Sequence, residues 1–272
     1  MPDYSYQIQA VDNIVQDYKS NKTANNLLVI PTGGGKTITA LRALYKLVEL
    51  NLIRKNETII WATHRKALKA QTIEELNSSL FQSLINSKKT YNLLKDTILK
   101  VCMNSEAQKL IFSPKYKNKV KFIVLDEAHH SGARSYKNFF SLDCGILGLT
   151  ATPNRNDNNK LKFDKIIYTI NAQKLIKLGV ILMPNIINKN TNIDIDFHIN
   201  DNNSKSSIDD KFDIDIRNKY IVRYLFEDHL AVKNYKKVMI HTRTKKHAMS
   251  IYQLITKYHR IYPNHYENIE YI

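Results

Sequence analysis

The chain has 272 residues, of which 43% are hydrophobic and 24% charged, as expected for one large or two medium globular domains. No apolar run approaches the ~18 residues that a membrane-spanning helix needs, and no charged and then apolar leader follows Met1. We therefore expect an intracellular protein with no membrane partner. Its two cysteines, Cys102 and Cys144, stand far apart in apolar segments, which favours buried free thiols over a disulfide or a metal pair.

The formal net charge of +16 favours a polyanionic partner. A second explanation competes with this one. The chain is rich in Asn, Lys, Ile and Tyr, as an AT-rich coding sequence would produce for any function. The charge therefore supports nucleic acid as a partner without establishing it.

A glycine-rich stretch, Pro-Thr-Gly-Gly-Gly-Lys-Thr at residues 31–37, is the strongest motif. It follows the apolar run 27–30, typical of a buried strand, and precedes residues 38–50, whose apolar positions have helical spacing. Strand, glycine turn, Lys-Thr and helix form the arrangement of a phosphate-binding loop, in which backbone N–H groups and the helix N-terminus surround phosphate oxygens. The residues predicted to bind ATP in this loop are Thr32, Gly33, Gly34, Gly35, Lys36 and Thr37, with Thr37 also a ligand of Mg²⁺.

A carboxylate pair follows the apolar strand predicted at residues 120–125, in the sequence Asp126-Glu127-Ala128-His129-His130. Beside a phosphate loop, Asp126 can hold Mg²⁺, usually through water, and Glu127 can accept a proton from the water that attacks the γ-phosphate. The adjacent histidines suggest a structural zinc site, but no Cys or further His stands at ligand spacing, and we therefore predict none.

Two more apolar strands end in polar turns. Residues 58–62 lead into Thr63-His64-Arg65, and residues 145–149 lead into Thr150-Ala151-Thr152-Pro153. Open parallel sheets bind their ligands at the carboxyl ends of the strands. These turns are therefore expected to lie near the phosphate loop.

Together the motifs resemble those of superfamily 2 helicases, in the branch that contains type III restriction enzyme motor subunits and related DNA translocases. The general phosphate-loop pattern has a glycine five residues before Gly35, where this chain has Ile30. The first motif of the family lacks that glycine as well. Its second motif is Asp-Glu-Ala-His, which residues 126–129 match letter for letter, and residues 150–153 resemble its third motif. The resemblance covers nearly the whole chain.

The resemblance implies ATP hydrolysis coupled to movement along nucleic acid, with DNA favoured and RNA open, and it assigns roles to particular residues. Lys36, Asp126 and Glu127 would be catalytic, and Gln7 would read the adenine edge, with solvated surface as the alternative for Gln7. The residues expected to couple hydrolysis to movement are His129, Thr150 and Thr152. Those expected to grip the sugar-phosphate backbone are Thr63, Arg65, Thr242 and Arg243, with a solvated helix start as the alternative for Arg65.

The predicted fold is α/β: a RecA-like P-loop NTPase domain at residues 1–180, with a parallel sheet flanked by helices, followed by the start of a second RecA-like domain. An acidic interdomain crossing is predicted at 181–215 and an incomplete second domain at 216–272, with helices at 220–232 and 245–258 and a strand at 237–240. The arginine-finger motif of the family, Gln-x-x-Gly-Arg, is absent, and Arg260 is the last arginine.

Two classes of function therefore remain open. In the first, the chain is an ATP hydrolase of helicase or translocase type, impaired by itself and completed by a partner chain or by a C-terminal part encoded elsewhere. In the second, it is a truncated or degenerate subunit that binds ATP and nucleic acid without efficient turnover. A small-molecule P-loop kinase is disfavoured by the Asp-Glu-Ala-His and Thr-Ala-Thr-Pro motifs.

Overall fold

One parallel sheet of six strands forms the centre of the first of two compact units, residues 1–184 and residues 185–272. The structure is a computed structural model and describes residues 2–116, 118–130, 136–152, 163–184, 213–226 and 239–261. The strands are β1 (Asn25–Val29), β2 (Thr58–Thr63), β3 (Leu99–Met103), β4 (Val120–Leu125), β5 (Gly145–Thr150) and β6 (Lys165–Thr169). Their order is β3-β2-β4-β5-β1-β6, and every neighbouring pair is parallel.

Helices join β1 to β2, β2 to β3 and β3 to β4, as parallel pairing requires. Those of the first unit are α1 (Ser5–Ser20), α2 (Lys36–Glu49), α3 (Lys66–Asn77), α4 (Ser79–Ser83), α5 (Lys88–Asn92), α6 (Asn104–Phe112) and α7 (Ala172–Lys177). Short 3₁₀ turns occur at Ala128–His130 and Phe139–Ser141. The parallel sheet flanked by helices confirms the predicted RecA-like α/β fold.

The inner strands are apolar over most of their length because both faces of the sheet are covered. Successive residues of a strand point to opposite faces. Ile59 and Trp61 of β2 accordingly join one hydrophobic cluster, which includes the buried apolar residues of α1 and α2, whereas Ile60 and Ala62 join the cluster of the other face. Trp61 is fully buried. This two-sided packing fixes the register of the strands, and thereby the position of the turns at their carboxyl ends.

The first helix is offset from its predicted face. The helical spacing of Ile8, Val11, Ile14 and Val15 predicts one buried stripe. The last three are buried, but Ile8 is 53% exposed. Gln7 occupies the buried position instead, on the side of the helix shared with Val11 and Ile14. A polar side chain therefore lies in the interior next to the glycine-rich turn at residues 31–37.

Residues 78–98, a polar and basic segment without a sharp motif in the sequence, form α4, α5 and a π-helical segment, Leu93–Ile98. The hydroxyls of Ser78 and Ser87 accept N–H hydrogen bonds at the starts of α4 and α5. Phe81 and Leu94 are fully buried in the core.

The second unit contains the helices α8 (Asp215–Arg223) and α9 (Lys245–Ile261). Val222, Phe226 and Ile251 form its buried cluster. The helix predicted at 220–232 and the strand predicted at 237–240 lie partly outside the described residues, and Met239 and Ile240, which are described, are not in a strand. The predicted crossing at 181–215 lies mostly outside them and stays a prediction. Within the described part of the chain, no helix combines the length and apolarity needed to cross a bilayer.

Candidate nucleotide-binding site

The polar turns predicted from the sequence meet at one edge of the sheet. Val29 of β1 lies beside Thr150 of β5, and Ala62 of β2 lies beside Leu125 of β4. Because the four strands are parallel, the segments that follow them share the carboxyl edge. The turns brought together are residues 31–37, 63–65, 126–130 and 150–152. Thr242 and Arg243 belong to the second unit.

The glycine loop has a backbone that other residues would not adopt easily. Gly33 and Gly35 have φ values of +81° and +78°, in the left-handed region, and Gly35 is the N-cap of α2. A Cβ on Gly34 would lie 2.6 Å from Ile30 Cγ2 and 2.8 Å from Leu175 Cδ1. Lys36 and Thr37 then begin α2, so their N–H groups belong to the positive end of a 14-residue helix. Thr32 and Gly33 are exposed, and Lys36 and Thr37 are half-buried.

The start of α1 supports this loop. The hydroxyl of Tyr6 donates a hydrogen bond of 2.6 Å to the carbonyl of Gly34. The next residue, Gln7, is 4% exposed, and its Nε2 lies 2.6 Å from the position that a Cβ on Gly35 would take. Gln7 Oε1 accepts a hydrogen bond of 3.2 Å from Nη1 of Arg42. Gln7 is therefore not solvated surface, and its predicted contact with adenine stays a prediction.

Replacing Tyr6 with Phe should destabilise the loop without changing its shape. The substitution leaves the buried carbonyl of Gly34 without its donor, and we expect the free energy of unfolding to fall by about 1 kcal/mol and ATP affinity to fall a few-fold. Urea unfolding and nucleotide titration measure the two effects. Tyr4→Phe, at a neighbouring tyrosine that is 47% exposed, is the matched control, and equal unfolding midpoints for both variants would contradict the assigned role of Tyr6.

The carboxylate pair is electrostatically coupled. Asp126 is 6% exposed, and its burial and the adjacent Glu127 raise its pKa to about 6. A 3.0 Å hydrogen bond from the N–H of Glu127 and the positive charge of Lys36 act in the opposite direction and lower this pKa. Lys36 thus lies near the Asp126 carboxyl, whose ionisation is costly. Glu127 has φ +50°, a left-handed conformation uncommon for residues other than glycine, and such strain is often found at functional sites.

His129 connects the carboxylate pair with the turn after β5. Its Nδ1 lies 3.3 Å from Glu127 Oε2 and 3.4 Å from Thr150 Oγ1. The hydroxyl of Thr150 donates its proton to the carbonyl of Thr152 at 2.8 Å and accepts from the N–H of Thr152 at 3.2 Å. Since that proton is already committed, the contact of Thr150 with His129 requires a proton on Nδ1. The three residues predicted to act in coupling, together with Glu127, thus form one continuous set of contacts.

Thr63 repeats the turn geometry of Thr150. It is fully buried, and its hydroxyl donates to the carbonyl of Arg65 at 3.0 Å and accepts from the N–H of Arg65 at 3.2 Å. Arg65 is exposed and is the N-cap residue of α3. Thr63 therefore shapes the turn that presents Arg65. The predicted phosphate contacts of both residues stay predictions.

Sequence reasoning missed three residues of this site. It passed over the hydroxyl of Tyr6, although an aromatic residue before Gln7 was a signal. No sequence signal pointed to Arg42, since its bond to Gln7 depends on how α1 packs on α2. His64 was assigned no role, yet its pKa is lowered mainly by burial and then by Arg65, with smaller effects of Glu127 and His129.

The oxygen ligands at this edge fit Mg²⁺ in a nucleotide complex. One carboxylate, Asp126, and one hydroxyl, Thr37, together with phosphate oxygens, are the donors that Mg²⁺ uses in such sites. A cation there would also offset the cost of ionising buried Asp126. Across the described ranges, no cluster of three or more His, Cys, Asp or Glu side chains is arranged to hold a metal.

A sequence profile of the type III restriction enzyme res subunit matches residues 1–155, which is more than half of the chain and includes all the turns at the edge of the sheet. The chain belongs to this family. Membership confirms the resemblance to superfamily 2 motors that residues 31–37, 126–129 and 150–153 indicated. The comparison with curated proteins found no match for this res-family chain.

Solved helicase and restriction-enzyme cores are similar to the res-family chain at low sequence identity. A nuclease-deletion mutant of the type ISP restriction-modification enzyme LlaGI, in complex with a DNA substrate mimic, has 15% identity and a TM-score of 0.43, over 97% of this chain and 27% of that one. The SWI2/SNF2 ATPase core of Sulfolobus solfataricus, in complex with double-stranded DNA, has 17% identity and a TM-score of 0.39, over 56% of this chain and 33% of that one. The Hef helicase domain of Pyrococcus furiosus has 18% identity and a TM-score of 0.40, over 92% of this chain and 54% of that one. The res-family chain thus spans between about a quarter and about half of the length of these matches.

Proposed function

We propose that the chain hydrolyses ATP with Mg²⁺ and couples hydrolysis to movement along nucleic acid. The observation that carries the proposal is the common edge of the sheet, where the loop at the start of α2 faces buried Asp126 and the strained Glu127. DNA is favoured over RNA because the family is one of restriction enzymes. A motor of this kind would act inside the cell.

Each residue at the edge has a task in this proposal. The loop N–H groups and Lys36 hold the phosphates, and Thr37 and Asp126 hold Mg²⁺. Bound Mg²⁺ would neutralise charge on the β- and γ-phosphate oxygens. Glu127 accepts a proton from the attacking water. Nδ1–H of His129 lies next to the Glu127 carboxylate and thereby restrains the orientation of that carboxylate.

Gln7 is proposed to select adenine. Its carbonyl is already bonded to Arg42, so the orientation of the amide is set and Nε2 is presented as a donor. Nε2 also contacts the hydroxyl of Tyr6 at 3.4 Å, which leaves its second hydrogen for a ring nitrogen of the base. The buried position of Gln7 beside Gly35 places this donor next to the phosphate loop.

The residues that couple hydrolysis to movement and those that contact the nucleic-acid backbone respond to the nucleotide through the same edge of the sheet. Thr150 contacts His129 and shapes the turn of Thr152, so a shift of Glu127 during hydrolysis would reach that turn. Arg65, presented by Thr63 at the neighbouring strand end, is proposed to contact a backbone phosphate. In the second unit, Thr242 and Arg243 are proposed to contact a further phosphate.

The second candidate is an ATP- and nucleic-acid-binding subunit without efficient turnover. It shares the nucleotide site with the first candidate and differs from it in the rate of hydrolysis.

Steady-state ATPase assays separate the two candidates. The rate is measured without polymer and with single-stranded DNA, duplex DNA and RNA, for the wild type and for Lys36→Ala. Stimulation by one polymer that is lost in the variant supports a motor and identifies its track. A wild-type rate equal to that of Lys36→Ala under all conditions, with ATP still bound, contradicts the motor and supports the binding subunit.

A further inference from the structure

The outer edge of β3 borders a cavity of about 490 Å³. β3 is a terminal strand of the sheet, and β2 is its only strand neighbour in the described part of the chain. The cavity is lined by the four successive strand residues 99–102, together with residues of α3 and α6. Because successive residues of a strand point to opposite faces, a cavity that touches all four lies along the edge of the strand and not over one face.

Helices α3 and α6 flank this edge from opposite faces of the sheet. Leu76 of α3 belongs to the hydrophobic cluster that includes α1 and α2, whereas Ala107 of α6 belongs to the cluster of the other face. Nζ of Lys69 in α3 lies 2.9 Å from Oε2 of Glu106 in α6, so this ion pair reaches across the edge. The cavity is therefore a cleft between two helices, with the edge of β3 between them.

The backbone of β3 is capped at both ends of this edge. The N–H of Met103 donates to Oε2 of Glu106 at 2.9 Å, and the N–H of Leu99 donates to the carbonyl of Leu94. Both bonds lead away from β2, and the N–H and C=O groups of alternate strand residues point to the same side. Val101, midway between them, therefore also directs its N–H and C=O away from β2. Among the described residues, neither group has a backbone partner outside the sheet.

Two lysines lie on one side of this backbone. Cys102 belongs to the cluster on the α6 face, and Lys100, two residues before it, points to the same face. Lys109 of α6 lines the same cleft. Within the described ranges neither lysine forms an ion pair, and the carboxylate of Glu106 is already paired with Lys69. The cleft thus offers two ammonium groups beside a backbone donor and acceptor.

We propose that this cleft binds an extended acidic segment of a partner protein, which adds to the sheet as a strand beside β3. In binding of this kind the main-chain hydrogen bonds supply affinity and the side chains supply specificity. In an antiparallel arrangement, one residue of the segment exchanges two hydrogen bonds with Val101. The residues before and after it then point to the α6 face, where carboxylates meet Lys100 and Lys109. The expected ligand therefore alternates acidic and apolar residues.

Other occupants fit the cleft less well. A second copy of this chain would bring the lysines of two edges together, and each chain carries a net charge of +16. Lysine on an edge strand is a common device against such self-pairing. The phosphate backbone of nucleic acid would suit the lysines, but it presents only acceptors and leaves the carbonyl of Val101 without a donor. The inference goes beyond the proposed function and does not depend on it.

A fluorescently labelled peptide, Glu-Val-Glu-Val-Glu-Val-Glu, tests the proposal on the full chain by fluorescence anisotropy. The control peptide has the same sequence with a methyl group on every valine nitrogen, which keeps all charges but removes the N–H groups that would face β3. The control should bind at least about tenfold more weakly, because the main-chain bonds are lost. Exchange of the amide hydrogen of Val101, followed by NMR, should slow at least about tenfold when the unmodified peptide is bound.

Reversal of the charges in the cleft tests the side-chain contacts. The double variant Lys100→Glu, Lys109→Glu should bind the acidic peptide at least about tenfold more weakly than the wild type, and it should bind Lys-Val-Lys-Val-Lys-Val-Lys, which the wild type should not. The double variant Lys88→Glu, Lys89→Glu, at two exposed lysines of α5, is the matched control for the change of net charge. It should bind the acidic peptide nearly as the wild type does.

Failure of the acidic peptide to bind the wild type, equal binding of the methylated peptide, or unchanged exchange at Val101 would overturn the inference. Equal losses of binding in the two double variants would do the same. Slower exchange at Val101 with rising protein concentration and no peptide would mean that a second copy covers the edge, and slower exchange with duplex DNA would mean that nucleic acid does; either result contradicts an acidic protein partner. None of these measurements involves ATP, so the proposed function stands or fails separately.

Discussion

Glu127→Gln is expected to lower the rate of ATP hydrolysis by about 10²–10⁴-fold while leaving ATP binding nearly unchanged. The amide cannot accept the proton of the attacking water, but it has the size of the carboxylate and keeps the backbone at φ +50°. ATP binding depends instead on the glycine loop and Lys36. The effect is therefore confined to the chemical step.

Single-turnover hydrolysis and equilibrium binding of ATP measure the two quantities separately. Glu74→Gln, at an exposed glutamate of α3, is the control for the change of charge. Hydrolysis by Glu127→Gln at the wild-type rate would exclude Glu127 as the base. A matching loss of ATP binding would show that Glu127 supports the site structurally.

Asp126→Asn is expected to stabilise the metal-free protein by roughly 2–3 kcal/mol at pH 7, the free energy that corresponds to a pKa raised from 3.8 to about 6. Well below pH 3.8 the carboxyl is protonated in both the folded and the unfolded state, so it has no effect on stability. As pH rises, the unfolded state ionises first, and the folded state is progressively destabilised until Asp126 ionises too, at about pH 6. Asn carries no charge and retains an oxygen for the N–H of Glu127, so it removes this penalty.

Urea unfolding in EDTA at pH 4, 5, 6 and 7 tests this expectation. The gain should be small at pH 4, grow through pH 5, and approach its full size above pH 6. Asp143→Asn, at an exposed aspartate just before β5, is the control for removal of one negative charge. A gain of the same size at every pH would mean that burial of the Asp126 charge is not its cause.

The inner strands and the glycine turn were predictable because their signals are local. An apolar run of five or six residues favours a buried strand, and three successive glycines before Lys36 favour a turn with a left-handed backbone. The common edge then followed from parallel pairing, which brings the ends of β1, β2, β4 and β5 together whatever the loops between them. The carboxylates could be placed near Lys36 for that reason.

Other features depend on packing that the sequence does not display. Periodicity placed the apolar stripe of α1 correctly at Val11 and Ile14, but packing against the loop decided that Gln7 rather than Ile8 is buried. The segment at 78–98 lacks a clear period because serine caps divide it into short helices. The turn bonds of Thr63 and Thr150 also went unforeseen, since the pattern shows a hydroxyl at each strand end but not the atoms that it bonds.

Titration of the full chain with ATP and Mg²⁺ by calorimetry, for the wild type and Lys36→Ala, tests the central claim most directly. The claim predicts one ATP bound per wild-type chain and an affinity at least about tenfold weaker in the variant, a loss of 1.4 kcal/mol or more. Asp126→Asn should in addition weaken the dependence of binding on Mg²⁺. Equal affinity of wild type and Lys36→Ala, or no binding by either, would contradict the assignment of residues 32–37 as the nucleotide site.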